Sequence, residues 1–548
     1  MGGFLSHLSP VNNSEVFDAS CGPIRGNIYQ HDEKTVDGYL GIPYAKPPIG
    51  ELRYKKPIPA EKWTETRDCY KYSPICPQSG GFSKMPILEM FEKSEKDCLT
   101  LNVFVPRGNS TDKNGFPVMV FIHGGGFEVG MSSGTNDYSV SGILPLHGII
   151  VVSINYRLGP LGFLTTGDDI CKGNMGLWDQ TLALKWVQSH IKSFGGNPDN
   201  VTIFGASAGA ASVDLLALSP HSRDLFKRYI GMSGTANCDF AIRTKEMEAK
   251  IFRDFAIFYG YSGNDSKSLM EWYMSQDVEI FTNPKGFKST ASGFLLFVPN
   301  LDGNFFPKPL DELRKEAPKK DVMLGVGEYE GICFTMQDPN MPVTYKKIDD
   351  VLMSTYGEDI VNNVDGVHKM IIESYTKNID NTDTDAAFKT LVEFVGDAYF
   401  NIGVLDTARS ATKYGNCVYL YSFDYNDPNN FGEMAAIVPF KAATHCSDQK
   451  YVMGEGGFGK FIVTETELKM IDKMGIMFSN FAKYGNPNGD GVVEWEKYSI
   501  DKPDRYYQIT MPDCQMKNGF QNGRLDILDD INNKYGKKYQ HIIHGNNI

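Results

Sequence analysis

Gly205-Ala206-Ser207-Ala208-Gly209 sets a serine among small residues in the pattern G-x-S-x-G. That pattern suits a nucleophile on a sharp strand-to-helix turn. Ser207 must then take a strained backbone conformation with Oγ exposed, and a side chain at either glycine would collide with neighbouring elements. The pentapeptide alone says little in a chain with 55 glycines, but the apolar run Val201–Phe204 precedes it and small, helix-compatible residues follow. A serine hydroxyl is a poor nucleophile until a base takes its proton. Of 10 histidines, His445 lies in Lys441-Ala442-Ala443-Thr444-His445-Cys446-Ser447-Asp448, beyond the strand-like Val418–Phe423. A lone loop histidine is more often structural or solvated, so position alone does not single it out. The third partner is a carboxylate between serine and histidine in chain order. Glu330 follows the apolar Val322–Val326 in Gly325-Val326-Gly327-Glu328-Tyr329-Glu330-Gly331; Glu328 competes with it locally, its alternative reading being a solvated loop acid. Backbone donors for a developing oxyanion come from His123-Gly124-Gly125-Gly126-Phe127, where consecutive glycines let N–H groups approach a substrate oxygen without Cβ interference. Such fixed donors contribute about 2.7–4 kcal/mol each in acyl-transfer sites. A glycine-rich surface turn is the alternative, and the strand pattern ending at Ile122 argues against it.

These residues require a scaffold of alternating strands and helices. Phe116–Ile122, Ile149–Ile154, Val201–Phe204, Tyr229–Met232, Val322–Val326 and Val418–Phe423 read as strands. Leu177–Ile191 has apolar residues at helical spacing and stops at Gly195-Gly196; Lys469–Lys483 reads as a late amphipathic helix. The alternation predicts an α/β fold with a large, mostly parallel central sheet flanked by helices. Ligand and catalytic groups gather beyond the carboxyl ends of such strands. The long stretches near 235–320 and 332–415 exceed ordinary connections and are read as helical insertions over the site. The organisation expected is a leader over 1–20 and one domain over 21–540.

The chain has 548 residues, 41% hydrophobic and 22% charged, which excludes a mainly disordered or fibrous protein. Its net charge of −13 disfavours non-specific nucleic-acid binding. No apolar run spans a bilayer; the longest candidate is Gly148–Ile154. The N-terminal decapeptide lacks the basic and apolar regions of a signal peptide. It does fit a myristoylation pattern, with Gly2 as acceptor and Ser6 four residues on. One acyl chain gives only weak membrane contact, and the alternative is a leader that matches by chance. Fractionation of wild type against Gly2→Ala separates the two. A cytoplasmic location is expected. Ten cysteines do not make a dense disulfide framework, and none has zinc-ribbon spacing. No cofactor or metal is called for, and the oligomeric state is not legible.

With these residues in hand, the chain resembles the type-B carboxylesterase and cholinesterase family of α/β-hydrolases from about Gly22 to the C-terminal region. The matches run in order. They begin with Gly38-Tyr39-Leu40-Gly41-Ile42-Pro43-Tyr44-Ala45 and Lys96-Asp97-Cys98-Leu99-Thr100-Leu101-Asn102. Asn155-Tyr156-Arg157-Leu158-Gly159, Gly173-Asn174-Met175-Gly176-Leu177-Trp178-Asp179-Gln180 and Phe194-Gly195-Gly196-Asn197-Pro198 follow. The resemblance implies Ser207 as nucleophile, Glu330 as triad acid, His445 as base, and Gly125, Gly126 and Ala208 as oxyanion-hole donors. Ser233, in Met232-Ser233-Gly234, matches a serine adjoining the family's triad. The resemblance also implies a disulfide between Cys69 and Cys98, a pair expected to stay reduced in the cytosol.

Departures from the family narrow the substrate. Ala206 stands where cholinesterases usually carry Glu, and no Trp lies between Cys69 and Cys98, where they place a choline-binding Trp. A quaternary ammonium needs such an aromatic face. The function expected is therefore carboxylic ester hydrolysis through an acyl-enzyme, by a broad carboxylesterase or lipid esterase and not a cholinesterase. The alternative is a non-catalytic adhesion or recognition protein of the same family. Such proteins lose a triad member and add a membrane span, whereas Ser207, Glu330 and His445 all stand here.

Overall fold

Apolar runs in successive segments build one twelve-stranded sheet. In chain order its strands are β1 (Asn12–Asn13), β2 (Asn27–His31), β3 (Lys34–Pro43), β4 (Thr100–Pro106), β5 (Phe116–Ile122) and β6 (Ile150–Ile154). Then come β7 (Gly196–Ala206), β8 (Arg228–Met232), β9 (Asp321–Gly327), β10 (Cys417–Phe423), β11 (Tyr506–Ile509) and β12 (Gln515–Lys517). The computed structural model describes residues 10–78, 89–282, 286–287, 295–335, 345–358, 360–377, 383–431, 438–454, 461–489, 492–535 and 543. Gly2 and Ser6 of the expected lipidation pattern lie outside the described residues. Within the expected leader, Asn12–Asn13 and Phe17–Ala19 instead form strands that pair with the body of the protein.

In spatial order the sheet runs β1-β2-β3-β4-β6-β5-β7-β8-β9-β10-β11-β12. From β6 to β11 every pairing is parallel, and antiparallel strands finish both edges. The central strands are apolar on both faces, as a doubly covered parallel sheet requires. Val118, Val120 and Ile122 of β5 join the core beneath helices α1 (Met175–His190) and α2 (Ala208–Leu218), while Met119 and Phe121 face the opposite core with Met474, Phe478 and Phe481 of a late helix, Glu465–Tyr484. The period-2 alternation of side chains along a strand thus serves two helical layers. Helix α1 ends at His190, a short 3-10 turn follows, and Gly195 takes a left-handed φ of 82° that stops the run.

The long insertions bear out their reading as helical elaborations. Between β8 and β9 lie the helices Lys245–Phe258, Ser266–Ser275, Glu279–Thr282 and Leu310–Glu316. Between β9 and β10 lie Ile332–Thr335, Tyr345–Tyr356, Val364–Thr376, Thr384–Gly396 and Ile402–Lys413.

One expectation is corrected. The disulfide joins Cys76 to Cys98, with Cα atoms 4.8 Å apart, and not Cys69 to Cys98. Cys69 is a buried thiol. Its N–H donates to Arg25 O at 2.7 Å and its carbonyl accepts from Leu40 N at 2.8 Å, so its backbone is held against the N-terminal strands. The bond closes a loop of sequence separation 22. Constraining a loop of that length in the unfolded chain stabilises by about 3 kcal/mol. Cys76→Ala is accordingly expected to lower the free energy of unfolding by that amount, read as a lower urea midpoint. A midpoint equal to wild type would sink the pairing.

Candidate active site

Sheet register makes the site. Ile122 of β5 lies opposite Gly205 of β7, Ala206 opposite Met232 of β8, and Met232 opposite Gly325 of β9. The residues that follow these strand ends, His123–Gly126, Ser207, Ser233 and Glu330, therefore emerge along one carboxyl edge, where an open α/β sheet offers its crevice.

Ser207 turns the chain from β7 into α2 at φ 57° and ψ −124°, a conformation side-chain-bearing residues rarely adopt. Its N–H donates to Met232 O at 2.9 Å, and its carbonyl accepts from Ala211 N at 2.9 Å, the first bond of the helix. Both motif glycines are sterically required. A Cβ on Gly205 would come within 2.5 Å of the Gly209 carbonyl, and one on Gly209 within 2.1 Å of Ile122 O. The collision anticipated from the pentapeptide is thus between the elbow and β5 as well as within the elbow itself.

The glycine corner packs directly on this turn. A Cβ on Gly124 would lie 2.5 Å from Ala206 O and 3.0 Å from the Ser207 Cβ. Gly125 and Gly126 take φ values of 110° and 63°. The Gly125 carbonyl accepts from the N–H groups of Glu128 and Val129, closing a tight turn. Ala208 is the first residue of α2, so its N–H belongs to the helix end that has no intrahelical acceptor. Gly124 thus brings the glycine corner that includes Gly125 and Gly126 onto the serine turn, and Ala208 follows the serine directly at the start of α2.

Glu330 is fully buried. Its Oε2 lies 2.5 Å from His445 Nδ1. Its Oε1 accepts from Ser233 Oγ at 2.6 Å and from Gly327 N at 2.5 Å. Ser233 also holds the histidine loop, since Cys446 N donates to Ser233 Oγ at 3.4 Å. Cys446 takes a φ of 59°, which turns the chain immediately after His445. Thr444 N donates to Ser447 Oγ at 2.9 Å, and Tyr329 N to Ala443 O at 2.9 Å, so the loops bearing acid and base are sewn together. Glu328, the local competitor, makes no such pair with His445. Burial, with Asp424 adding to it, pushes its carboxyl up to about 7.

The His445 ring is buried between two aromatics. Its centroid lies 4.3 Å from that of Phe400 and 4.9 Å from that of Phe334. Nε2 is buried with no hydrogen-bond partner among the described residues, so it is not bonded to Ser207 Oγ in the resting site. Such contacts are often long before substrate binds. Asp448 also borders the pair; burial pushes its carboxyl up to about 6, and Tyr421 donates to it at 2.6 Å.

Sequence reasoning singled out neither Phe334 nor Phe400. Phe334 sits on the short helix Ile332–Thr335 just beyond Glu330, and Phe400 lies in a π-helical turn, Asp397–Asn401, inside the second long insertion. A π-turn is a recurrent mark of functional sites, but its wider spacing leaves no pattern in the residue types.

Residues 13–528 match the model of the Carboxylesterase family. The chain is 55% identical to esterase cest-33 of Caenorhabditis elegans over 548 residues, covering 100% of this chain and 99% of that protein. It is 34% identical to liver carboxylesterase 1 of Oryctolagus cuniculus over 505 residues, 86% of this chain and 85% of that one. With the medium-chain fatty acyl-CoA hydrolase precursor of Anas platyrhynchos it shares 33% identity over 494 residues, covering 87% and 85%.

Proposed function

The chain belongs to the carboxylesterase family and is a carboxylic ester hydrolase, and from that premise we propose that Ser207, His445 and Glu330 perform the hydrolysis through an acyl-enzyme. His445 Nε2 takes the Ser207 proton as Oγ attacks the ester carbonyl. The N–H groups of Gly125, Gly126 and Ala208 receive the negative charge that forms on the carbonyl oxygen. As the tetrahedral intermediate collapses, His445 returns the proton to the departing alkoxide. It then removes a proton from water, whose oxygen attacks the acyl-enzyme carbonyl; as this second intermediate collapses, His445 returns that proton to the departing Ser207 Oγ and the carboxylic acid is released. Glu330 keeps the proton of the resting imidazole on Nδ1 and stabilises the cation formed at each transfer.

The observation that carries this reading is the Glu330 Oε2 to His445 Nδ1 contact of 2.5 Å together with an Nε2 that has no hydrogen-bond partner among the described residues. A buried imidazole tied by one nitrogen presents the other as the base. Ser233 supports the same reading as a residue that orients Glu330 and touches the histidine loop.

A broad carboxylesterase or lipid esterase, and not a cholinesterase, is the substrate reading. Ala206 brings no acid next to the nucleophile, and a choline ester needs an aromatic face that the 69–98 segment does not supply from any Trp. A fluorophosphonate probe should label Ser207 and no other serine, read by peptide mass spectrometry. Well-folded protein that takes no label at Ser207 would refute the assignment.

A further inference from the structure

Glu128 follows the oxyanion glycines by two residues and is buried. The mechanism does not use its carboxylate. It reaches the first long insertion, where Oε1 accepts from Leu296 N at 2.9 Å and from Phe297 N at 3.3 Å. Two further buried charges hold the same stretch. Glu248, in the first turn of the helix Lys245–Phe258, accepts from Val298 N at 2.9 Å through Oε1 and from Arg243 Nη1 at 2.9 Å through Oε2. Arg243 donates to Leu296 O at 3.1 Å and also to Leu295 O. The main chain from Leu295 to Val298 is thus gripped on both its N–H and its carbonyl sides. The grip places one side chain against the site. A Cβ on Gly126 would come within 2.9 Å of Leu295 Cδ2, so Leu295 lies against the oxyanion glycine.

Two carboxylates and one guanidinium are a costly way to fill a core. Burial pushes Glu128 above the usual carboxylate range and Glu248 up to about 7, with hydrogen bonds and Arg243 only partly offsetting it. Well-packed apolar residues of similar volume would often serve stability as well or better. What an apolar residue cannot do is accept two consecutive N–H groups and so define where the segment sits.

Resting on the reading of Ser207, Gly125 and Gly126 given above, we propose that Glu128 is a positioning residue which, through the main chain of Leu296 and Phe297, holds Leu295 against Gly126 and thereby sets the size of ester substituent accepted beside the oxyanion. The leaving alkoxide must face His445 to receive its proton, so the substituent on the glycine side is the acyl group. Pinning Leu295 favours short acyl chains, because a compact substrate is then confined with its carbonyl aligned on the donors. Releasing it opens room for longer chains and loosens the alignment of short ones.

The test is kcat and KM for p-nitrophenyl acetate and p-nitrophenyl hexanoate, which share a leaving group and differ only in the acyl chain. Glu128→Ala should shift the hexanoate-to-acetate ratio of kcat/KM toward hexanoate by about tenfold, the scale of a pocket change of a methylene or two, with the acetate loss mainly in kcat. Glu128→Gln keeps an acceptor and should hold the wild-type ratio. Leu295→Ala should give a shift of the same size, and the double variant no more than either alone. An unchanged ratio in folded Glu128→Ala, or additive shifts in the double variant, overturns the proposal. Should Glu128→Ala not fold, Glu128→Met fills the space without accepting and takes its place under the same criteria. Fluorophosphonate labelling of wild type separates the two levels. Wild type that labels at Ser207 while the ratio stays fixed removes only the role of Glu128, whereas wild type that does not label removes the reading beneath it.

Discussion

Ser207→Ala is expected to lower kcat for p-nitrophenyl acetate by about 10⁶-fold, the scale seen when a serine hydrolase loses its nucleophile. Ser207 Oγ is the atom to which the proposed mechanism attaches the acyl group. What remains is the alignment of ester and water by the glycine corner, which leaves a residual acceleration of about 10³–10⁴ over water. Alanine is the right probe because the elbow demands φ 57° and ψ −124° of whatever stands there. Serine and alanine both carry a Cβ, so the strain is common to both and the fold is unaffected. A thermal melt matching wild type, combined with lost turnover, is the expected pair of results. Turnover within tenfold of wild type would show that the reaction proceeds without this oxygen.

Glu330→Gln tests the second member by a tautomer argument that this site makes unusually strict. One oxygen of Glu330 already accepts from the Gly327 N–H and the Ser233 hydroxyl, and the other faces His445 Nδ1. The Gly327 donor is main chain and cannot turn away. A glutamine must therefore put its carbonyl toward Gly327 and its NH₂ toward the imidazole. Nδ1 becomes the acceptor, the ring proton moves to Nε2, and His445 can no longer take a proton from Ser207. Loss of the correct tautomer is expected to lower kcat by about 10⁴-fold with KM little changed. Fluorophosphonate labelling should slow in parallel, since it needs the same base. A loss below tenfold would remove Glu330 from its role as the orienting acid.

Much of this arrangement was readable from local features. Gly205 and Gly209 announce a backbone approach that no side chain tolerates, and steric exclusion leaves its mark in the residue type itself. Phe116–Ile122 forms β5 with the bounds its apolar run suggests, and Asp321–Gly327 and Cys417–Phe423 extend the predicted strands by one or two residues at their ends. Glu330 could be proposed because a parallel strand immediately precedes it, yet Glu328 remained a rival until the path of the loop was known. Two residues apart on an irregular turn, the acids differ only in direction, and direction comes from contacts such as Tyr329 N with Ala443 O.

Chain chemistry alone thus pointed to an α/β fold with a serine on a strand-to-helix elbow beside a polyglycine corner, because short-range sterics and strand periodicity leave their mark in the residue types, whereas the choice of Glu330 and His445 as acid and base came from the family resemblance. Long-range packing settled the rest. It joined Cys98 to Cys76 and left Cys69 among the N-terminal strands, set Phe334 and Phe400 against His445, and carried the Glu128 carboxylate to Leu296 and Phe297. Such partners meet across as many as 169 residues of chain, and their encounter depends on how separate insertions pack onto a shared sheet edge, a property that no short window of residues encodes.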